Sequence, residues 1–317
     1  MQGSYDAYSR IGDDMEASIK VEHLCKSYGE HQVVKDIHFT VQKGEIFAFL
    51  GPNGAGKSTT ISILCTLLEK DRGNVWIQGY RLGEHNKQIK AQLGIVFQES
   101  VLDDSLSVEQ NLLVRCALYH MNQKEAKQRV KEVIALCELE EIAQQSVQTL
   151  SGGQHRRCDI ARALICRPTI LILDEPSTGL DPNARKNLWE TIQRLHKKYG
   201  MTIFMTTHYM EEAEIADHLC MISKGRIVLD ASMEEVRKKH GKEWIRLYPT
   251  NDAVVQELLK KYHIPFQKQG QVLVIQTKNM FYTMSILRRC ERYLDHFEVH
   301  KDRMEDVYLM ILQEHNI

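Results

Sequence analysis

Gly51-Pro-Asn-Gly-Ala-Gly-Lys-Ser-Thr59 decides the fold. It follows the apolar run Glu45-Ile-Phe-Ala-Phe-Leu50 and leads into residues 58–68, whose apolar positions recur at helical spacing. Strand, glycine-rich turn and helix in that order are the context a phosphate-binding loop requires. The glycines let successive backbone N–H groups turn inward on an anion, and a helix beginning near Lys57 aims the positive end of its dipole at the same point. Lys57 adds a point charge for the terminal phosphates. Ser58 is placed to offer its hydroxyl to magnesium, an ion that takes few protein oxygens and keeps several waters. The expected ATP cradle is thus Gly51, Pro52, Asn53, Gly54, Ala55, Gly56, Lys57, Ser58 and Thr59.

Downstream, Ile170-Leu-Ile-Leu-Asp-Glu175 is a buried-strand pattern closed by two carboxylates. Adjacent acids at such a strand end are expensive unless a cation or a reaction uses them. Strand alternation is expected to send them to different sides, Asp174 to the magnesium shell and Glu175 to the attacking water as general base or orienting group. Before them, Leu150-Ser-Gly-Gly-Gln154 opens a helical pattern. A serine and two glycines at a helix start form a second anion site, although such a stretch alone is also an ordinary serine-capped helix start.

Around these motifs the chain alternates β-rich runs (45–50, 94–98, 169–174, 201–206, 218–223) with helical patterns (108–120, 124–137, 153–166, 183–199). That alternation predicts an α/β domain over 18–241, a mostly parallel sheet covered by helices, with a helical subdomain at about 101–165. From 243 the order becomes strand, helix, two strands, helix, strand, which predicts a small α+β, ferredoxin-like C-terminal domain over 242–317. A last amphipathic helix, 304–313, groups Val307, Leu309, Met310 and Ile311. The polar, acidic residues 1–17 are expected to be a flexible N-terminus.

At 317 residues the chain suits a large domain plus a small one, and 43% hydrophobic with 26% charged residues supplies a real core. A formal net charge of −1 gives no overall attraction to nucleic acid or to an anionic bilayer. The eight scattered cysteines form no CxxC pair or metal-spaced cluster, and a reduced, cytosolic compartment is expected. The start lacks the basic head and apolar stretch of a secretory signal. No apolar run approaches the roughly 20 residues that cross a bilayer.

Leu150–Gln154 resembles the signature of ABC ATPases, and other positions follow in that family's order from Tyr28 to His208. Tyr28 is similar to the aromatic that stacks on adenine, Gln98 to the magnesium-side glutamine, and His208 to the histidine that contacts the γ-phosphate. The loop Ser177-Thr-Gly-Leu-Asp181 resembles the one that crosses the dimer interface. The resemblance implies a core with an antiparallel β part and an ATPase using ATP and Mg2+. Catalytic roles fall to Glu175, His208 and Gln98, and metal-side roles to Ser58, Gln98 and Asp174. It also implies a site completed in trans by Ser151, Gly152, Gly153, Gln154 and Asp181 of a second cassette.

The wording FQESVLDDSLSVEQNL (97–112), STGLDPNARKNLWETI (177–192), THYMEEAE (207–214) and MEDVYLMIL (304–312) is similar to the motor subunits of drug, antibiotic, polysaccharide or lipid exporters. That implies a cytoplasmic pair of motors, a homodimer first, on the inner face of the cell membrane beside separate permease subunits, with no nucleic-acid partner. The alternative is a soluble ABC ATPase of translation or DNA repair. Those types usually carry tandem cassettes or a long coiled coil, and this chain has one cassette and no heptad run.

Overall fold

The computed structural model describes residues 17–240, 243–301 and 304–314. The expected flexible segment therefore lies outside the described residues except for Ala17, which opens the first strand instead of belonging to a flexible arm. The expected domain boundary at 241/242 also falls outside them; the chain divides into compact units that meet between Met233 and Glu234.

In the first unit, β1 (Ala17–Tyr28) and β2 (His31–Gln42) form an antiparallel hairpin, and β3 (Ile46–Leu50) is wholly buried. After it come α1 (Lys57–Leu64), β4 (Arg72–Ile77), β5 (Tyr80–Arg81), α2 (Asn86–Gln92) and β6 (Leu93–Val96). The helical block holds α3 (Val108–Leu118), α4 (Gln123–Leu136) and α5 (Gly152–Leu164). Next are β7 (Ile170–Asp174), α6 (Pro182–Tyr199), β8 (Thr202–Thr207), α7 (Met210–Ala213), β9 (His218–Ser223) and β10 (Arg226–Ser232), and α8 (Met233–His240) begins at the last residue of this unit and runs into the second.

The strands make two sheets. One, ordered β2-β1-β4-β5, is antiparallel; the other, β10-β9-β3-β8-β7-β6, is parallel from β9 to β6 with β10 antiparallel at its edge. They close on a shared apolar core in which Phe39 of β2 meets Phe47 and Phe49 of β3, with ring centroids 5.5 and 5.4 Å away. Phe204 of β8 completes this group at 5.4 Å from Phe47. The 12-residue strands β1 and β2 carry no clean period-two pattern because their register shifts at several points, one of them where His23 adopts a left-handed φ of 52°. Helix starts follow local chemistry: Ser107, Asn122 and Ser151 each form a capping box with a Gln or Glu three residues on, and Asp181 caps a Pro-led helix.

The second unit comprises β11 (Glu243–Pro249), α9 (Asp252–Lys261), β12 (Gln267–Gln269), β13 (Val272–Thr277), α10 (Met280–Cys290), β14 (Leu294–Lys301) and α11 (Met304–Glu314). Its sheet is antiparallel throughout in the order β12-β13-β11-β14. Ile245, Leu247, Leu273 and Ile275 of the sheet share a core with Val255, Leu259 and Ile286 of the helices.

Among the described residues no helix is long and apolar enough to cross a membrane. All eight cysteines are free thiols; seven are buried and Cys166 is half-buried. Burial pushes the Cys137 and Cys158 thiols up to about 12.

Because Phe204 is fully buried where the two sheets meet, Phe204→Ala should cost about 3–5 kcal/mol, read as a lower denaturant midpoint for the first unit's unfolding.

Candidate functional site

Four adjacent parallel strands, β3, β8, β7 and β6, end on the same side of the sheet, and each delivers one part of the site. The loop 51–56 and α1 follow β3, His208 follows β8, Asp174 ends β7 with Glu175 next, and Gln98 lies just past β6. Gly51 N–H donates to Thr207 O at 3.2 Å, tying the loop to β8. Only glycine fits there, since a Cβ at residue 51 would stand 2.3 Å from Ile222 O. Gly56 turns the chain into α1 at φ 110°, and no side chain caps that helix. Its first N–H groups are thus left to a ligand, beside the positive end of the helix dipole. Asn53, Gly54, Gly56, Lys57, Ser58 and Thr59, with Gln98 and Glu175, line a hollow of about 290 Å³ there.

The charges in this hollow are nearly dry. Lys57 is 4% exposed and Glu175 8%. The Lys57 ammonium donates to Gly51 O at 2.7 Å and Pro52 O at 3.2 Å, and lies 3.2 Å from Glu175 Oε1. On the other side of that carboxylate, His208 Nδ1 stands 3.2 Å from Glu175 Oε2 without hydrogen-bond alignment. Thr206 bridges the two acids: its hydroxyl donates to Asp174 Oδ1 at 2.6 Å and accepts from Glu175 N–H at 3.0 Å. Burial raises the Asp174 carboxyl above the usual carboxylate range; the Thr206 hydrogen bond opposes this, the Glu175 charge adds to it, and Lys57 and Arg156 oppose it.

The acids do point to different partners, but alternation along β7 is not the reason. Glu175 stands beyond the last strand residue at a left-handed φ of 44°, and this turn swings its side chain toward Lys57 and His208. A left-handed glutamate is strained, a feature that concentrates at functional sites.

Three supporting residues escaped the sequence reading. Thr206 is one. Glu212, 3% exposed, accepts from Thr207 Oγ1 at 2.6 Å and from the Ser177 hydroxyl, joining the segment after Glu175 to the end of β8. The third is Arg156, whose buried guanidinium donates to Pro176 O, Phe97 O, Gln98 O and Glu175 O. Its signal was present in the helical period, since Arg156 and Asp159 share the buried stripe of α5 with Ile160 and Ala163.

The remaining expected residues stand apart from the hollow. Tyr28 closes β1 and is 53% exposed, with the Lys26 ammonium 6.0 Å from its ring centre. Ser151 Oγ accepts from Gln154 N–H at 3.3 Å and Gln154 Oε1 accepts from Ser151 N–H at 2.9 Å, so this stretch is indeed a capped helix start. Ser151 and Gly152 are exposed and Gly153 and Gln154 half-exposed; Asp181 is exposed at the cap of α6. None of them lines the hollow.

A carboxyl raised by burial favours its protonated form in the folded chain, so ionised Asp174 costs stability that is intact below the ordinary carboxylate range and is lost as pH rises through it. Asp174→Asn should therefore raise the unfolding temperature at neutral pH, with the gain shrinking in acid, while ATP turnover falls; calorimetry across pH reads the first and phosphate release the second.

A family model described as ABC transporter matches residues 34–178. The linearmycin resistance ATP-binding protein LnrL of Bacillus subtilis (strain 168) is 39% identical over 228 residues, covering 72% of this chain and 73% of the relative. The Nod factor export ATP-binding protein I of Rhizobium sp. (strain N33) is 36% identical over 262 residues, covering 82% and 86%. Among solved structures, the dimeric post-hydrolysis state of the ATP-binding cassette MJ0796 bound to ADP and Pi superposes with a TM-score of 0.62 at 26% identity, covering 68% of this chain and 98% of that one. With the phosphate loop, the paired acids and the capped Ser151 helix in place, these likenesses establish that the chain belongs to the ABC transporter family as one of its ATP-binding, ATP-hydrolysing cassettes.

Proposed function

We propose that the chain is the motor of an exporter: two cassettes, a pair of copies of this chain first, close on ATP and move separate membrane subunits between two access states. The observation that carries this is the separation of two anion-binding features on one chain. The hollow at the strand ends is lined without any residue of the exposed start of α5, which belongs to the same unit. In the reading offered, Ser151, Gly152, Gly153 and Gln154 of one cassette cap the γ-phosphate held by the Lys57 loop of the other, Asp181 lies at the joint, and Tyr28 stacks on adenine. ATP is then the adhesive between subunits, because neither half alone surrounds it. The relatives named for linearmycin resistance and Nod factor export favour an exporter over a translation or repair factor.

Hydrolysis follows from the residues in place. Lys57 and the N–H groups at the start of α1 hold the phosphates, and Glu175, between Lys57 and His208, orients water and takes its proton as oxygen attacks the γ-phosphorus and ADP leaves. His208 donates to the γ-phosphate. Ser58, Gln98 and Asp174 offer hydroxyl, amide and carboxylate oxygens, the hard donors that suit Mg2+. Bound there, the ion would neutralise phosphate charge.

For the membrane side, a second hollow of about 510 Å³ lies between α2 and α3, with Leu67 and Leu118 61% and 65% exposed and Lys87, Lys90 and Arg115 around it. Apolar side chains ringed by cations suit the apolar face of a short helix with acidic flanks, offered by a permease on the inner face of the membrane.

Glu175→Gln should cut turnover about 100- to 10,000-fold while ATP still binds and now holds the chain as a pair; adding Ser151→Arg should return it to monomers in ATP. A Glu175→Gln chain that stays monomeric at saturating ATP, measured by light scattering, would refute the shared site. Leu118→Glu should leave ATP affinity intact and abolish copurification of the membrane subunits; an undiminished yield of them would remove the second hollow from this reading.

A further inference from the structure

We infer that Arg156 is a positioning residue for hydrolysis, the single side chain through which the helix that starts at Ser151 fixes both Gln98 and Glu175. The role given to Ser151 rests on the shared-site reading above; the positioning of Gln98 and Glu175 does not. Arg156 lies on the second turn of α5 and is 6% exposed. Its Nε donates to Pro176 O at 2.6 Å, Nη1 to Phe97 O at 2.6 Å, and Nη2 to Gln98 O at 3.1 Å and Glu175 O at 3.3 Å. A planar guanidinium thus occupies the gap between two backbone segments, each carrying one residue that faces the hollow.

Two further facts make this more than a buried arginine finding partners. One turn on, Asp159 accepts from the Ser100 hydroxyl at 2.8 Å and lies 3.7 Å from Arg156 Nη1, so α5 grips residues 97–100 at three points. On the other segment, where the left-handed turn at Glu175 is followed by Pro176, the hydrogen bonds given from α5 come from Arg156. Carbonyl 176 takes its hydrogen bond from the Arg156 fork, and carbonyl 175, which also accepts from Thr178 N–H at 3.2 Å, shares that fork directly beside the Glu175 carboxylate. Arg162, two turns along the same helix and also buried, donates to Ile95 O at 3.1 Å within β6, away from the reacting groups. It is the built-in comparison.

The functional consequence is a mechanical tie. The end of α5 that would cap a partner's ATP is joined, through one rigid fork, to the water-orienting glutamate and the metal-side glutamine of its own cassette. A shift of α5 on closure is carried to residues 98 and 175, which would link firing in one site to closure over the other.

Arg156→Lys keeps the charge and removes the planar fork. In the full-length chain it should lower kcat about 100-fold, the loss expected when reacting groups are misplaced by about an ångström, with KM for ATP within about threefold of the parent. In the Glu175→Gln background, ATP-driven pairing should persist, and Arg162→Lys should leave kcat within about threefold. A kcat for Arg156→Lys equal to the parent's overturns the inference. So does a fall in kcat matched by equal losses of ATP affinity or unfolding temperature, or by an equal fall in Arg162→Lys, because the role is then only structural. Should Arg156→Lys fail to fold, Arg156→Gln is judged by the same criteria. If Glu175→Gln alone never pairs, the shared site fails by itself, and Arg156 is still judged on kcat and KM.

Discussion

An ammonium group almost out of contact with water needs oxygens on every side, and Lys57 takes them from two sources at once. Gly51 O and Pro52 O belong to the loop, and Glu175 Oε1 belongs to the end of β7. The shape of the phosphate loop and the position of the Glu175 carboxylate are thus set by the same buried charge, and neither can move without leaving it underpaired. In the function proposed above, phosphate oxygens entering the hollow would compete for that ammonium and loosen its hold on Glu175.

That arrangement is affordable because four parallel strands end side by side. β8, between β3 and β7, contributes through Thr206 and Thr207, whose hydroxyls satisfy Asp174 and Glu212 at its C-terminal end. Apolar burial among Phe39, Phe47, Phe49 and Phe204 beneath holds the strand ends in place. Polar groups above and aromatic rings below make the site an extension of the core.

Much of this was readable from residue order. The phosphate loop, the Asp174–Glu175 pair and the Ser151 cap are local patterns whose chemistry lies within a few residues, and β3, β7, β8 and β9 each contain an uninterrupted apolar run. β1 and β2 were not readable because register shifts break their alternation, and β5 is too short to carry a pattern. The direction of Glu175 was missed for a different reason: a left-handed backbone at a glutamate is imposed by the surroundings and leaves no trace in spacing. Arg156 sits in a legible helix and Glu212 in a four-residue one that the residue order did not reveal, and what they touch lies 19 to 59 residues away for Arg156 and 35 for the Ser177 contact of Glu212.

The free thiols have a practical bearing on how such motion can be watched. The thiolate is the form that alkylating reagents attack, and burial keeps it scarce at Cys137 and Cys158, while Cys166 alone is half-exposed and its sulfur is engaged with Leu93 O and Ala163 O. An introduced surface cysteine would outpace all eight native ones toward a maleimide. Fluorophores or spin labels can therefore report distances across a closing pair while every native cysteine stays where it packs.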